Sequence, residues 1–289
     1  MNESSSNTPG DRRRAAVLLW EARNEFGRIT PTNRQIIRCA AFGVPVDFTT
    51  SSFQVKYDGA IQAENSAIEN NENLPLHTNR PVPDAVADPR VIRWLLTTES
   101  IEPLLSSRGV HISSAKFESL LDLRSCHLSR PLWLMKCSLL SGIDMLGATC
   151  SVFGLSGSLV CQGSMQGTRH TYAIRADGLR ADIVFLRGIR SHGGVRFVGA
   201  HIADNLECDH GIFVSTGRFA ISASGINING TLFLRRIRYV YGAIDLTGAR
   251  IGYLVDYNDS GTDSKCDIVL SDCEYKDIYA CLLYTSPSP

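Results

Sequence analysis

The stretch Val110 to Cys150, VHISSAKFESLLDLRSCHLSRPLWLMKCSLLSGIDMLGATC, decides the fold. It reads as triplets of apolar, variable, apolar: Val110-His111-Ile112, Ala115-Lys116-Phe117, Leu121-Asp122-Leu123, Cys126-His127-Leu128, Leu132-Trp133-Leu134, Cys137-Ser138-Leu139, Ile143-Asp144-Met145 and Ala148-Thr149-Cys150. Their starts, 110, 115, 121, 126, 132, 137, 143 and 148, step alternately by five and six residues. In an extended strand, alternate side chains share a face, so each triplet points two apolar residues one way and its middle residue the other. Steps of five and six do not sustain the three-to-four spacing of a helix. Four short strands with four bends close one coil of 22 residues, as from Val110 to Leu132, and stacked coils bury a continuous core. At that offset small residues lie over small ones (Ala115 over Cys137, Cys126 over Ala148) and large over large (Leu121 over Ile143, Phe117 over Leu139, Leu123 over Met145). The spacing predicts a right-handed, four-sided parallel β-helix. A sandwich of short strands is the alternative, but its strands run longer and less evenly.

The same pattern extends to both sides. Triplets resume after a Gly- and Ser-rich break at Cys161 to His170. They include Val184-Phe185-Leu186, Ile189-Arg190-Ser191, Val195-Arg196-Phe197, Ala200-His201-Ile202, Leu206-Glu207-Cys208 and Gly211-Ile212-Phe213. Leu232, Leu234, Ala249 and Ile251 continue the inward set, and the last triplets end at Ala280. A longer repeat joins Ala173–Leu179 to Ala220–Ile226, and Phe185-Leu186-Arg187 to Phe233-Leu234-Arg235. The solenoid is therefore expected over 107–280.

The N-terminal part reads as helices: one capped by Asp11 and running to about Phe26, and one from about Thr32 to Phe42, ended by Gly43. Together these make a helical region, 1–48. Residues 49–83 are polar and aperiodic and read as a flexible linker. Asp88-Pro89 starts a further helix, with Val91, Ile92, Trp94 and Leu95 inward. The segment 84–106 is expected to cap the first coil, which would otherwise leave strand edges unpaired. The final nine residues, 281–289, break every pattern and resemble the translation of a sequencing adapter. The native chain is then expected to continue beyond Ala280, leaving an open last coil through which the protein self-associates.

Val195 to Ile202, Ala173 to Leu179 and Val184 to Arg187 resemble the repeats of bacterial β-helix proteins labelled in genomes "membrane-associated oxidoreductase", which are similar to pentapeptide-repeat proteins. The resemblance covers about 84–280, and more weakly 36–48, and this chain departs from it by a shortened turn at Arg187-Gly188-Ile189. It implies a right-handed parallel β-helix. Its label implies redox chemistry and a membrane, which would be reached through sequence C-terminal to the repeats.

The chemistry-bearing residues favour an inert reading. Lys plus Arg and Asp plus Glu both number 29, giving zero formal net charge, which argues against a general nucleic-acid binder. No secretion signal is present. Of nine cysteines, Cys126, Cys137, Cys150, Cys208 and Cys273 fall at inward positions, where a thiol packs as a small hydrophobe. Cys39 on a helix and Cys161 and Cys266 in loops are the better reactive-thiol candidates. No CxxC, GxGxxG, GxSxG, HExxH or P-loop occurs, so no metal and no cofactor is expected. Unpaired thiols suit a reducing cytoplasm. His111, His127 and His201 read as solvated. The weak site candidates are His170 and Arg169 in the inserted loop, and Asp122 and Asp144, which stack one coil apart on the outer face. Such carboxylates could form an acid/base pair, and β-helix polysaccharide lyases and hydrolases carry charged clusters on one outer face. The expected function is a non-catalytic scaffold binding an unidentified protein partner. The rivals are a redox protein, which a visible cofactor would reveal, and a carbohydrate-active enzyme, which a charged cleft beside the 161–172 loop would favour.

Overall fold

The computed structural model describes residues 8–69, 82–163, 172–256 and 268–280. From Val110 to Ala280 the described residues wind as a parallel β-solenoid of about six turns, spaced roughly 23 residues apart. Every strand pairing among the described residues is parallel, in one sheet of ten strands and one of eleven. The predicted register holds where it was quoted: Val110 pairs with Leu132, Lys116 with Ser138 and Leu121 with Ile143. Leu123, Leu134, Phe117, Leu139 and Met145 are fully buried. So are Ala115, Ala148, Val184, Leu186, Phe197 and Ile202, or nearly so.

The bends explain the step. At one corner Ser114, Lys136, Gly157, Gly188, His210 and Arg236 follow one another a turn apart, all with φ between 50° and 69°. A second corner repeats this with Ser125, Gly147, Gly178, Gly199, Gly225, Gly248 and Asp272. One left-handed residue per corner turns the strand sharply, and glycine adopts that conformation at least cost. From Ser114 to His210 in the first column, and from Ser125 to Gly248 in the second, the corner N–H donates to the carbonyl one turn on, as Gly147 does to Asp177 at 2.8 Å. Gly188 sits at this ordinary corner position, so the turn around it is regular and not shortened. The step lengthens where sequence is inserted: Ile143 pairs with Ile174, across the Gly- and Ser-rich break.

Among the described residues four α-helices precede the solenoid, α1 (Pro9–Phe26), α2 (Pro31–Phe42), α3 (Ser51–Glu69) and α4 (Pro89–Thr97), followed by a short 3-10 turn at Glu99–Leu104. Asp11 is not the cap of α1. Thr8 caps it, and Asp11 is its reciprocal partner in a capping box, the arrangement that satisfies two end N–H groups at once. Thr30 caps α2 and Asp88 caps α4. The linker expected over 49–83 is corrected across 51–69 by α3. The segment holds good helix formers (Gln54, Lys56, Ala60, Gln62, Ala63) but no apolar stripe, so propensity favours a helix where periodicity gives no signal. The hydroxyl of Tyr57 donates to the Gly157 carbonyl at 2.8 Å, and Lys136 Nζ lies 5.5 Å from the Tyr57 ring centre. Residues 70–81 of that linker, and the tail 281–289, lie outside the described residues.

The first coil is capped by more than α4. Strand β1 (Val46–Asp47) pairs in parallel with β2 (Val110–Ser113). The extended segment at Val86 bridges to Lys116 in β3 (Lys116–Phe117), which donates to Ala85 and accepts from Ala87. Arg93 of α4 donates to the Asp122 carbonyl in β4 (Leu121–Asp122) at 2.7 Å, and Ser129 N–H donates to the Leu96 carbonyl. Edge groups on all four sides are thus satisfied by the N-terminal part. Its buried residues, from Leu18, Ile36 and Ile37 to Ile92 and Leu95, run into the solenoid core as one cluster.

Candidate functional site

Asp122 and Asp144 are brought together as expected. They are in register on adjacent strands, which places their backbones about 4.8 Å apart. They are not two solvated surface residues, however. Arg124 donates to both Asp122 oxygens, at 2.9 and 2.6 Å, and its Nε lies 3.8 Å from Asp144 Oδ2. Arg175, next in the same column, lies 3.6 Å from Asp144 and 3.8 Å from Asp177. Arg196, one turn further, donates to Asp177 at 2.6 Å and stacks on Tyr172. Asp144 is only 9% exposed beneath this ladder.

A cleft of about 100 Å³ opens beside the ladder, with Arg124, Ser141, Asp144, Gly163, Tyr172 and Arg175 in its wall. It stands at the root of the inserted segment, where a charged cleft was expected for a carbohydrate-active enzyme. Its size argues against that use: pockets that enclose an organic ligand hold about 300–1,000 Å³, while a water needs about 30 Å³. The electrostatics argue the same way. The hydrogen bond from Arg124 holds the Asp122 carboxyl below its usual range, so at neutral pH it has no proton to donate as a general acid. His170 and Arg169 lie outside the described residues.

A second charged cluster escaped the sequence reading. On another side, Phe185 pairs with Glu207 and Glu207 with Phe233, with Arg187, Asp209 and Arg235 two residues on in each strand. Glu207 pairs with Arg187 and Asp209 with Arg235. Both carboxylates are nearly buried, at 5% and 4% exposure. Burial pushes the Glu207 carboxyl up, outweighing the attraction of Arg187. The signal was present: the repeated Phe-Leu-Arg at 185–187 and 233–235 brackets Glu207-Cys208-Asp209, one turn away on either side.

This side also stacks aromatic rings. Trp133 lies on Phe185 at 5.1 Å with 25° between planes. They meet across Gly154, where a Cβ would come within 2.5 Å of the Trp133 ring. Arg187 covers the Phe185 ring at 5.6 Å and Arg235 the Phe233 ring at 4.3 Å. A sugar-binding platform needs a free ring face, and here the faces are turned to neighbours along the solenoid axis.

The thiols follow the core reading with three corrections. Cys126, Cys137, Cys150 and Cys208 are buried, while Cys273, expected with them, is only partly buried. Burial pushes Cys137 and Cys150 up to about 12, far from the thiolate that reacts. Cys161 is not in a loop but ends a strand, Leu159–Cys161, paired with His192. Burial also raises Cys161 and Cys39, so neither is an activated thiol. Cys266 lies outside the described residues. His111 is half-buried rather than solvated, and burial lowers its pKa. The outward Arg190 is fully buried, its Nε 2.9 Å from His192 Nε2. Among the described residues no three His, Cys, Asp or Glu side chains are grouped as a metal site. None of the helices among them is long and apolar enough to cross a membrane.

No protein-family model, no curated protein and no solved structure matches the chain. The function is therefore argued from the geometry alone.

Proposed function

We propose that the chain is a non-catalytic scaffold, a β-solenoid that presents rigid outer faces to a protein partner. One observation carries this: its clustered carboxylates are tied by arginines, Asp122 by Arg124 two residues on and by Arg93 of α4, the others by arginines from neighbouring turns. Asp122, Asp144, Asp177, Glu207 and Asp209 each face a guanidinium. Groups used this way stiffen a surface, whereas acid/base catalysis needs a carboxyl poised to give up a proton to a substrate beside it. Glu207, whose carboxyl burial pushes up, is only 5% exposed, out of a substrate's reach. The scaffold also associates with itself through its last described turn. There the inward residues Ile268, Leu270 and Cys273 are partly exposed and Tyr275 is 48% exposed, an apolar surface that a second copy would bury.

The test is a search for turnover with the purified protein. Pectin, alginate and uncharged glucans would be assayed for new reducing ends and for the ultraviolet absorbance of an unsaturated sugar. A visible spectrum would be recorded on the same sample. The scaffold reading expects no turnover and no visible absorption band. Turnover abolished by Asp144→Asn or Glu207→Gln would replace it with the carbohydrate-active reading, and a bound chromophore would replace it with the redox one.

A further inference from the structure

We infer that the outward face of α1, centred on Trp20, docks an acidic amphipathic helix of a partner protein; this deepens the scaffold reading by naming the surface. Ala15, Leu18 and Ala22 of α1 are buried in the core, and Phe26 at its end packs edge-on against Trp94 at 5.7 Å. The inner stripe therefore holds the helix rigidly. The opposite stripe carries a second apolar set: Trp20 is 60% exposed and Val17 is 38% exposed. Three residues apart, they lie on the same helix face. Arg13, four residues before Val17, and Arg23, three after Trp20, are exposed and flank them.

The charge around this stripe selects the partner. The whole chain is neutral, yet α1 exposes Arg12, Arg13 and Arg23 against Glu25, with Glu21 half-buried. A second copy meeting this face about a two-fold axis would set arginines against arginines. A membrane surface would attract the arginines, but interfacial helices bury a broad apolar face, and here only two large side chains project. An exposed tryptophan flanked by Arg13 and Arg23 on one helix face has the composition of a protein–protein hot spot, and a preformed helix loses little freedom on docking.

The probe is a fluorescein-labelled synthetic helix with leucines at i, i+3, i+4 and i+7 and glutamates along both edges, titrated with the full chain and followed by anisotropy. Saturable binding is expected. Trp20→Ala should weaken it at least about tenfold, as should the pair Arg13→Glu and Arg23→Glu, and added salt should weaken it too. All variants should melt as the parent does, because these side chains are exposed. Lysines in place of the glutamates should abolish binding. No saturable binding, or binding unchanged by Trp20→Ala, overturns the inference. Vesicles of phosphatidylcholine with phosphatidylglycerol serve as the second arm, and sedimentation without peptide as the third. Retention on vesicles without peptide binding, or a dimer lost in Trp20→Ala, would assign the face to a membrane or to a second copy. None of these outcomes depends on turnover, so this inference and the scaffold reading fail separately.

Discussion

At the scale of single residues, neighbouring positions have opposite tolerances. Leu123 is fully buried and Asp122 beside it points outward. Leu123→Asp buries an unpaired charge and removes apolar packing, and should cost more than about 3 kcal/mol, enough to prevent folding. Asp122 is not idle, because Arg93 and Arg124 both hold it. Asp122→Asn should cost about 1 kcal/mol, a value discounted for its partial exposure. Equal melting temperatures for the two variants would contradict the register. Glu207 gives a test with a sign. Its folded pKa is raised by burial, so the folded state holds the proton more tightly than the unfolded chain. Stability is then greatest below the unfolded value of about 4.3 and falls as pH rises through the folded pKa. Glu207→Gln cannot ionise and should remove this dependence. The melting temperature of the variant minus that of the parent should climb across the window and then level off, and a difference that falls with pH would refute the assignment. What the triplets made legible was which way a side chain points. They did not show what lies against it, which is why Asp144, Arg190 and Glu207 were invisible as buried groups. Burial of Asp144 and Glu207 depends on arginines from adjacent turns, and those come from 20 to 31 positions away.

At the scale of elements, the solenoid was legible because its rule repeats, and α3 was not because helix propensity without an apolar stripe leaves no periodic trace. The two-residue strand β1 left no trace either. It is too short for alternation to register, and its role is set by a partner, β2, that lies 66 positions further on at Val46 and Ile112. Its effect on stability is large nonetheless. Removing residues 1–48 strips β1 from the edge of β2 and exposes buried Ile36, Ile37 and Leu18 partners in the common core. From the sequence, loss of 1–48 is expected to be milder than loss of 84–106. The shared core makes the two comparable. Both truncated chains should lose the cooperative thermal transition of the parent, followed by circular dichroism. Survival of that transition in the chain lacking 1–48 would show that the helical pair is an appendage.

At the scale of the whole molecule, the first turn and the last described turn differ in how far their inward residues are covered. At the first turn, each side finds a partner in β1, the Val86 segment, Arg93 or Leu96. At the last described turn, Tyr275 continues the inward column of Ile228 and Ile251, yet it is 48% exposed where Ile251 is 5% exposed. An inward position with half its surface in water is an apolar patch that a second copy would bury. If association proceeds through this turn, sedimentation velocity should show a concentration-dependent shift to larger species. Tyr275→Lys should suppress that shift, because a charge placed in the inward column opposes burial against another chain. The same substitution should leave the melting temperature nearly unchanged at low concentration, since the side chain is already half-solvated. Trp20→Ala, at the opposite end, should leave the association intact. A parent that stays monomeric at high concentration, or a Tyr275→Lys variant that associates as the parent does, would move the contact to some other face.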